Sequence, residues 1–327
     1  MAINNRYEFM FYIQCVNGNP NGDPDMGNSP RIDPQDMHGY MTDVSIKRRI
    51  RNYVQTAYDN EPGMNIIMQN GANINASIAR AKEDAGVGID KTDKASIESS
   101  RLKACELFYD VRTFGAVLST GPNAGQVRGP VQLTFAKSVD PILPLDIAIT
   151  RMCIAEGKNE KDFAKLESEK SADSFRTIGR KQFISYGLYE ARGFISANLA
   201  AQTGFSENDL RVLFESILNM YENDRSASKG QMSVISPLII FRHIGTDGDE
   251  TQRARQCRLG CAPAHKLFET VKIAKKPDVE IPRDYTDYEL TVNMGAIPSG
   301  VEVGFMTDPY GEIAWNKLPA DNSWIKA

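Results

Sequence analysis

Residues 17–33 form a segment rich in glycine, proline, asparagine and aspartate that separates an alternating stretch from a basic one. Glycine permits positive φ, proline fixes φ at about −65°, and Asn or Asp side chains bond to nearby backbone, so such a loop can be ordered without being regular. Two-face alternation over Arg6–Val16 predicts a strand, and apolar residues every three or four positions from Thr42 to about Tyr58 predict a helix. Ordered loops on such a scaffold commonly carry function.

The start of the predicted helix combines cations with unpaired backbone amides. Lys47, Arg48 and Arg51 fall mostly off the apolar seam, and Thr42 or Asp43 would cap the helix. The amides, the positive end of the helix dipole and the cationic side chains together suit a phosphate backbone. A solvated helix face explains the same charges equally well.

A second polar segment, Asp224–Met232, joins a later helix to the last predicted strand. It contains Arg225, Ser226, Ser228 and Lys229. Amide, hydroxyl and ammonium donors in one loop can surround a phosphate group, although an ordinary polar turn has the same composition.

Composition bounds the class of protein. The chain has 327 residues, of which 41% are hydrophobic, and a net charge of −4. The length and hydrophobic content predict a large globular core. The negative net charge argues against a protein that binds nucleic acid indiscriminately, but it is compatible with a local basic groove. The number of cysteines, five, is odd, and the chain begins without a basic segment followed by an apolar one. We therefore predict a cytoplasmic protein. The absence of a long apolar run predicts that it has no membrane segment.

The order of predicted elements is that of an α+β, ferredoxin-like fold of the RNA-recognition-motif type, βαββαβ. The first strand and helix are followed by a hairpin, whose first arm would be the second strand, and then by a third strand. The second helix is predicted to begin at Ser206 as its N-cap, with Phe205 packed on Leu210. The last strand contains Pro237, which predicts a bulge or an edge position there. The hairpin and the later strands are predicted at Arg112–Leu118 with Pro130–Ser138, Phe183–Ala197 and Met232–Ile244.

This core is shorter than the chain, so a single domain spanning residues 1–327 must contain insertions. One is predicted at residues 59–109, with helices at Asn75–Ala85 and Lys94–Phe108. The other, at residues 140–182, holds an alternating arm, a charged stretch and a return segment with three cations. The parts of this second insertion are Ile142–Thr150, Glu156–Asp173, and Arg176, Arg180 and Lys181.

No catalytic residue, cofactor or metal site is predicted. The loop from Asn17 imitates the opening of an EF-hand but has Asn28 where a bidentate Glu is needed, although Asp23 and Asp25 can hold Mg²⁺ loosely. The three His residues are dispersed, and Cys257 and Cys261 lack a second ligand pair for zinc. No phosphate-binding, nucleophile-elbow or dinucleotide motif is present.

Aromatic residues near the third strand raise the question of base stacking. Arg192-Gly193-Phe194 begins like an RNA-recognition signature but does not continue as one, and Tyr186 and Tyr189 precede it. Stacking is possible, but a strand aromatic is more often part of the core.

The chain resembles the Cas-seven family, the repeating backbone subunit of type I CRISPR RNA-guided surveillance complexes, most closely its type I-C branch. Beyond the residue 17–51 region, the matching segments are Asp110–Leu118, Gly129–Gln132, Ser138–Ile142, Tyr186–Tyr189 and Pro263–Phe268. The resemblance covers most of the chain, and the last 60 or so residues match less closely.

The resemblance implies a non-catalytic subunit that polymerises along the CRISPR guide RNA in a Cascade complex and leaves the bases free to pair with target DNA. Implied partners are further copies head to tail and the large and small Cascade subunits. Residues 59–109 and 140–182 would be finger-like and thumb-like insertions. The predicted RNA-binding residues are Asn19, Asn21, Arg31, Thr42, Ser45, Lys47, Arg48, Arg51, Arg225, Ser226, Ser228 and Lys229.

An alternative of another class is a metal-dependent endoribonuclease. Related backbone subunits of type III complexes cut target RNA with a loop aspartate, and Asp23, Asp25 and Asp33 are the candidates here.

Overall fold

The computed structural model describes residues 1–59, 61–169, 175–319 and 324–326. Its strands are β1 Tyr7–Gly18, β2 Gly22–Asp23, β3 Ser29–Pro30, β4 His38–Met41, β5 Gly115–Val117, β6 Gln126–Arg128, β7 Val131–Leu133, β8 Ala136–Pro141, β9 Pro144–Arg151, β10 Thr177–Ile195, β11 Gln231–His243, β12 Val271–Lys275, β13 Tyr288–Val292, β14 Val301–Met306, β15 Ala314–Trp315 and β16 Ile325–Lys326. Its helices are α1 Asp43–Ala57, α2 Ile74–Asp84, α3 Lys94–Leu107, α4 Tyr109–Phe114, α5 Glu160–Glu169, α6 Ala197–Thr203, α7 Glu207–Asn219, α8 Glu250–Leu259 and α9 Ala264–Phe268.

A nine-stranded antiparallel sheet organises this mixed α and β structure. Its main order is β15-β14-β11-β1-β10-β8-β4, with β7 and β9 also paired to β10. The central strand β1 pairs with β10 from Tyr7 opposite Ile195 to Gly18 opposite Ile184, and with β11 on its other side. Two neighbours satisfy the backbone of β1 along its length, so the sheet fixes where its two ends lie.

Both faces of the central sheet are covered. Phe9 and Phe11 point into a core shared with α1, α6 and α7, whereas Met10 and Tyr12 point into a second core. That second core is closed by α9 and the small sheet β12-β13-β16. Tyr189 is fully buried and Tyr186 is 8% exposed, so the possibility that they stack on bases is wrong and the core interpretation is correct.

The predicted strand Arg112–Leu118 is wrong. Residues Tyr109–Phe114 form α4, and only Gly115–Val117 is extended, in a separate two-stranded ribbon with β6. The second arm, Pro130–Ser138, does reach the central sheet as β7 and β8, where both pair with β10. The local preference of the segment is overridden because α4 buries all six of its side chains, and its Arg112 meets a buried carboxylate.

Several other predicted elements are present. Ser206 and Asp209 form a capping box on α7, and Phe205 and Leu210 are buried in one core. Along β11 the register with β1 shifts between Met10 and Tyr12, in the stretch of β11 that contains Pro237. The pairing of β11 with β14 begins only at Leu238, so Pro237 lies at an irregularity in the pairing with β1 and just outside the part of β11 that pairs with β14.

The two predicted insertions differ in how they contact the rest of the protein. Within residues 59–109, α2 and α3 match the predicted helices and pack into a separate hydrophobic cluster that also includes Val111, Leu118 and Val127. Within residues 140–182, β9 pairs with the first half of β10, beyond the point where β10 leaves β1. This two-stranded extension, with α5 between its strands, is hereafter the arm. Part of the predicted charged stretch, residues 170–173, lies outside the described residues.

Candidate nucleic-acid interface

Three segments meet at the end of β1: residues 17–33, the beginning of α1 and residues 224–230. The amide of Asn19 donates to the carbonyl of Ser228 over 2.8 Å. A side chain at Gly18 would lie 1.8 Å from the carbonyl oxygen of Lys229, so only glycine permits this approach. The two loops that the sequence singled out are therefore in direct contact, and this surface is hereafter the groove.

Asn21 joins the first loop to the helix. Its Oδ1 accepts hydrogen bonds from the Thr42 amide at 2.9 Å and the Thr42 hydroxyl at 3.1 Å. The Thr42 hydroxyl oxygen caps α1 by accepting from the Ser45 amide at 3.2 Å. Asn19 is only 7% exposed, and its Nδ2 donates to the Asn28 carbonyl at 2.6 Å. These polar side chains set the shape of the groove.

Asp224 draws two cations together at the groove. One carboxylate oxygen of Asp224 contacts Lys229, and the other contacts Arg49. Burial lowers the pKa of Lys229 below its ordinary value. Burial alone would raise the pKa of Asp224, but the hydrogen bond from Lys229 and the charge of Arg49 outweigh it and hold that pKa low. The two cationic side chains therefore favour the charged form of the Asp224 carboxylate.

Arg49 was missed by the sequence reasoning. It stands in the same basic run as Lys47, Arg48 and Arg51, but only the contact with residue 224 shows that it faces the second loop. Lys181, predicted as part of the arm, was likewise not assigned to this place. Its ammonium donates to the Ala227 carbonyl at 2.6 Å, so the base of the arm contacts the second loop.

The helix cations have two different environments. Lys47 pairs with Asp43 at 3.0 Å within α1, its side chain is 12% exposed, and its ammonium lies 5.6 Å from the centre of the Phe114 ring. Arg51 donates to the buried carboxylate of Asp110 at 2.8 Å, and Arg48 donates to the carbonyl of Met68. Arg48 and Arg51 therefore tie α1 to the residues around the first insertion.

The remaining predicted residues lie at the groove margin. Arg31 pairs with Asp23 at 3.3 Å. Arg225 is 45% exposed at its side chain and pairs with Glu222 at 2.8 Å. The hydroxyls of Ser226 and Ser228 lie 3.1 Å apart and are exposed, which leaves them open to a further partner.

Two of the three candidate catalytic aspartates, Asp23 and Asp33, accept hydrogen bonds from nearby backbone. Asp23 accepts from the Asp25 amide at 3.1 Å, and Asp33 accepts from the Gln35 amide at 3.0 Å. Such contacts are typical of carboxylates that order turns. Among the described residues, no group of three His, Cys, Asp or Glu side chains is arranged to hold a metal. In the same part of the chain, no helix is long and apolar enough to cross a membrane.

Sequence comparison defines a class of CRISPR-associated proteins. Residues 5–293 match the family model described as CRISPR-associated protein Cas7. The chain belongs to the Cas7 family. A CRISPR-associated protein Cas7 of Haloferax volcanii is 26% identical over 235 residues, which cover 65% of this chain and 63% of that relative.

Two solved structures are also similar. A chain of a "CRISPR RNA-guided surveillance complex, pre-nicking" has a TM-score of 0.44 and 13% identity, covering 79% of this chain and 84% of its own. A chain of a "CRISPR RNA-guided surveillance complex" has a TM-score of 0.43 and 14% identity, covering 88% and 87%.

Proposed function

We propose that this protein is a non-catalytic, guide-RNA-binding backbone subunit of a type I-C Cascade complex. The observation that carries the proposal is the meeting of residues 17–33, the start of α1 and residues 224–230 in one groove lined by cations and exposed hydroxyls. Such donors recognise phosphate and ribose without reading base sequence. Membership of the Cas7 family supports the same assignment.

The groove suggests how RNA would be held. In the free protein the cations of the groove are paired with carboxylates. Lys47 pairs with Asp43, and Asp224 pairs with both Lys229 and Arg49. Phosphate groups of the guide would replace these carboxylates as partners of the cations. The exposed hydroxyls of Ser226 and Ser228 would donate hydrogen bonds to phosphate or ribose oxygens. The bases would stay free to pair with target DNA, so pairing would read sequence while the protein held the backbone.

The domain assignment is part of the proposal. The order β11-β1-β10-β8 with α1 and α7 on one face supports a ferredoxin-like core. Residues 59–109 would be a finger-like insertion and residues 140–182 a thumb. Partners would be further copies in a head-to-tail array and the large and small Cascade subunits.

The first prediction concerns affinity for RNA. Lys47→Ala combined with Lys229→Ala should weaken binding of every RNA sequence alike, since both cations would contact phosphate. Two lost contacts should reduce the slope of log affinity against log salt by about 1.4, at about 0.7 per contact for single strands. Fluorescence anisotropy with guide RNAs of unrelated sequence at several salt concentrations measures both effects.

The matched control is Arg101→Ala combined with Lys103→Ala, which removes two charges from the surface of α3, where both are paired with neighbouring glutamates. It should leave affinity and salt slope unchanged. Arg51 is avoided because its loss would disturb the buried Asp110 contact. Equal binding by the groove variant and the unmodified protein at all salt concentrations would refute the proposed groove.

The second prediction is that the protein does not cleave RNA. Asp23 and Asp33 are committed to turn contacts, so we expect a guide and its complementary RNA to stay intact during incubation with the protein and Mg²⁺. Gel electrophoresis of the end-labelled strands provides the measurement. Mg²⁺-dependent cleavage that disappears in Asp23→Ala or Asp33→Ala would favour the endoribonuclease instead.

A further inference from the structure

Helix α8 presents a second cationic surface, formed by Arg253, Arg255 and Arg258 and hereafter called the α8 patch. All three arginines are exposed, and α8 buries none of its residues. None of the three guanidinium groups forms an ion pair or hydrogen bond with a described residue. The groove cations are paired with carboxylates, whereas no carboxylate of a described residue forms an ion pair with these three arginines, including Glu250 in the same helix.

The α8 patch lies at the opposite end of the central sheet from the groove. The amide of Arg6, just before β1, donates to the carbonyl of Cys257 in α8 at 2.8 Å, whereas the groove forms at Gly18, where β1 ends. A strand of 12 residues spans roughly 35–40 Å at about 3.3 Å per residue. At that separation, one compact ligand could not contact both cationic surfaces.

Arg255 and Arg258 also line an open cavity of 580 Å³ beside α6. Its polar lining includes Asn198 and Thr251, with Glu250 as its carboxylate. Positions three apart on a helix lie on one face, with Cβ atoms about 5–6 Å apart, so both guanidinium groups can reach one extended anion.

The lining chemistry distinguishes between possible partners. Guanidinium, amide and hydroxyl groups are the usual contacts to a nucleic-acid backbone. Protein interfaces depend on buried aromatic or aliphatic anchors, and the apolar lining of this cavity consists of Ala254 and Leu259. The helix dipole favours a cation in the last turn, which accounts for Arg258 but not for Arg253 or Arg255 further back.

We propose that the α8 patch binds the phosphate backbone of a nucleic-acid strand other than the one held in the groove. The contact is independent of sequence, because the patch offers charge and simple donors without a pocket for a base. A duplex or a displaced single strand supplies the same backbone chemistry.

The test uses the full chain with Arg255→Glu and Arg258→Glu. Binding of fluorescent duplex DNA, single-stranded DNA and guide RNA is measured by anisotropy at several salt concentrations. We expect affinity for at least one DNA form to fall about 10- to 100-fold near 0.1 M salt, with a slope lower by about 1.8 for a duplex, at about 0.9 per contact. The DNA form with the larger loss identifies the strand. Affinity for guide RNA should change less than about twofold.

Arg80→Glu combined with Lys94→Glu is the control, because it makes the same change in net charge on exposed positions of α2 and α3. The melting curve of the patch variant should match that of the unmodified protein, since no described residue pairs with the α8 arginines, and the control should lose only the small stabilisation of the exposed Arg80–Asp84 pair. Unchanged DNA binding by the patch variant, or an equal loss in the control, would overturn the proposal. Intact DNA binding with loss of a co-purifying protein subunit would also overturn it and assign the patch to an acidic protein. The DNA-binding measurements do not depend on whether the groove binds RNA, so failure of the groove and failure of the α8 patch can be distinguished.

Discussion

Deleting residues 156–173 should leave a folded monomer that no longer forms ordered oligomers on guide RNA. The arm contacts the body at its base, where Lys181 donates to the Ala227 carbonyl, and its described tip is largely exposed. A repeating array on one RNA needs a heterologous contact, because an isologous dimer would stop growth. Size-exclusion chromatography with light scattering gives the mass of the protein with and without guide RNA.

Exposed apolar side chains on the arm provide a finer test of the same contact. Met152 and Ile178 are 64% and 74% exposed, and such side chains on a protruding element indicate a surface that another molecule covers. Ile178→Ser with Met152→Ser should reduce oligomer formation while the arm remains. The control, Ile89→Ser with Ile281→Ser, removes apolar side chains that are 53% and 64% exposed elsewhere.

Circular dichroism should show that the deleted protein keeps its fold, because the core clusters contain no residue from the described part of the deleted segment, 156–169. Oligomers of unchanged mass on RNA after the deletion would show that this part of the arm is not the contact between copies, and the thumb assignment would then be wrong.

Arg112→Ala should lower the free energy of unfolding by about 3–5 kcal/mol, because it leaves the buried carboxylate of Asp209 without its counter-ion. The side chains of Arg112 and Asp209 are 10% and 5% exposed, and Nη2 of Arg112 lies 2.7 Å from Oδ1 of Asp209. Nη1 of Arg112 also donates to the Gly63 carbonyl at 2.7 Å, so the pair joins α4 to α7 and to the chain before α2. Urea denaturation followed by circular dichroism measures the change.

Arg101→Ala is the comparison for this prediction. Arg101 pairs with Glu98 on the surface of α3, where the glutamate is 55% exposed, so its loss should cost at most about 1 kcal/mol. A second variant, Arg112→Ala with Asp209→Asn, removes the unpaired charge while keeping an oxygen that can cap α7, and should recover part of the loss. Equal effects of Arg112→Ala and Arg101→Ala would show that the buried pair does not stabilise the fold.

The sequence by itself determined the elements whose local signals agree with their packing. Alternation of two residue faces predicted β1, the spacing of apolar residues predicted α1, and the Ser206–Asp209 pair marked the start of α7. In each case the buried face or the helix cap is formed by residues that are close together in the sequence. The Gly- and Asn-rich loop was likewise recognisable, since the positive φ of Asn17 and the close approach at Gly18 limit those positions to few residue types.

Tertiary structure decided what depends on residues far apart in the chain. Residues 109–114 became a helix because Arg112 pairs with Asp209, 97 positions later. Arg51 became a structural anchor once Asp110 was buried beside it, and Arg49 joined the groove through Asp224. Tertiary contacts paired the cations of the groove with carboxylates, whereas the exposed α8 arginines pair with no described residue. Local sequence determines backbone preference, but a charged side chain takes its role from the partner and the solvent exposure that the whole fold gives it.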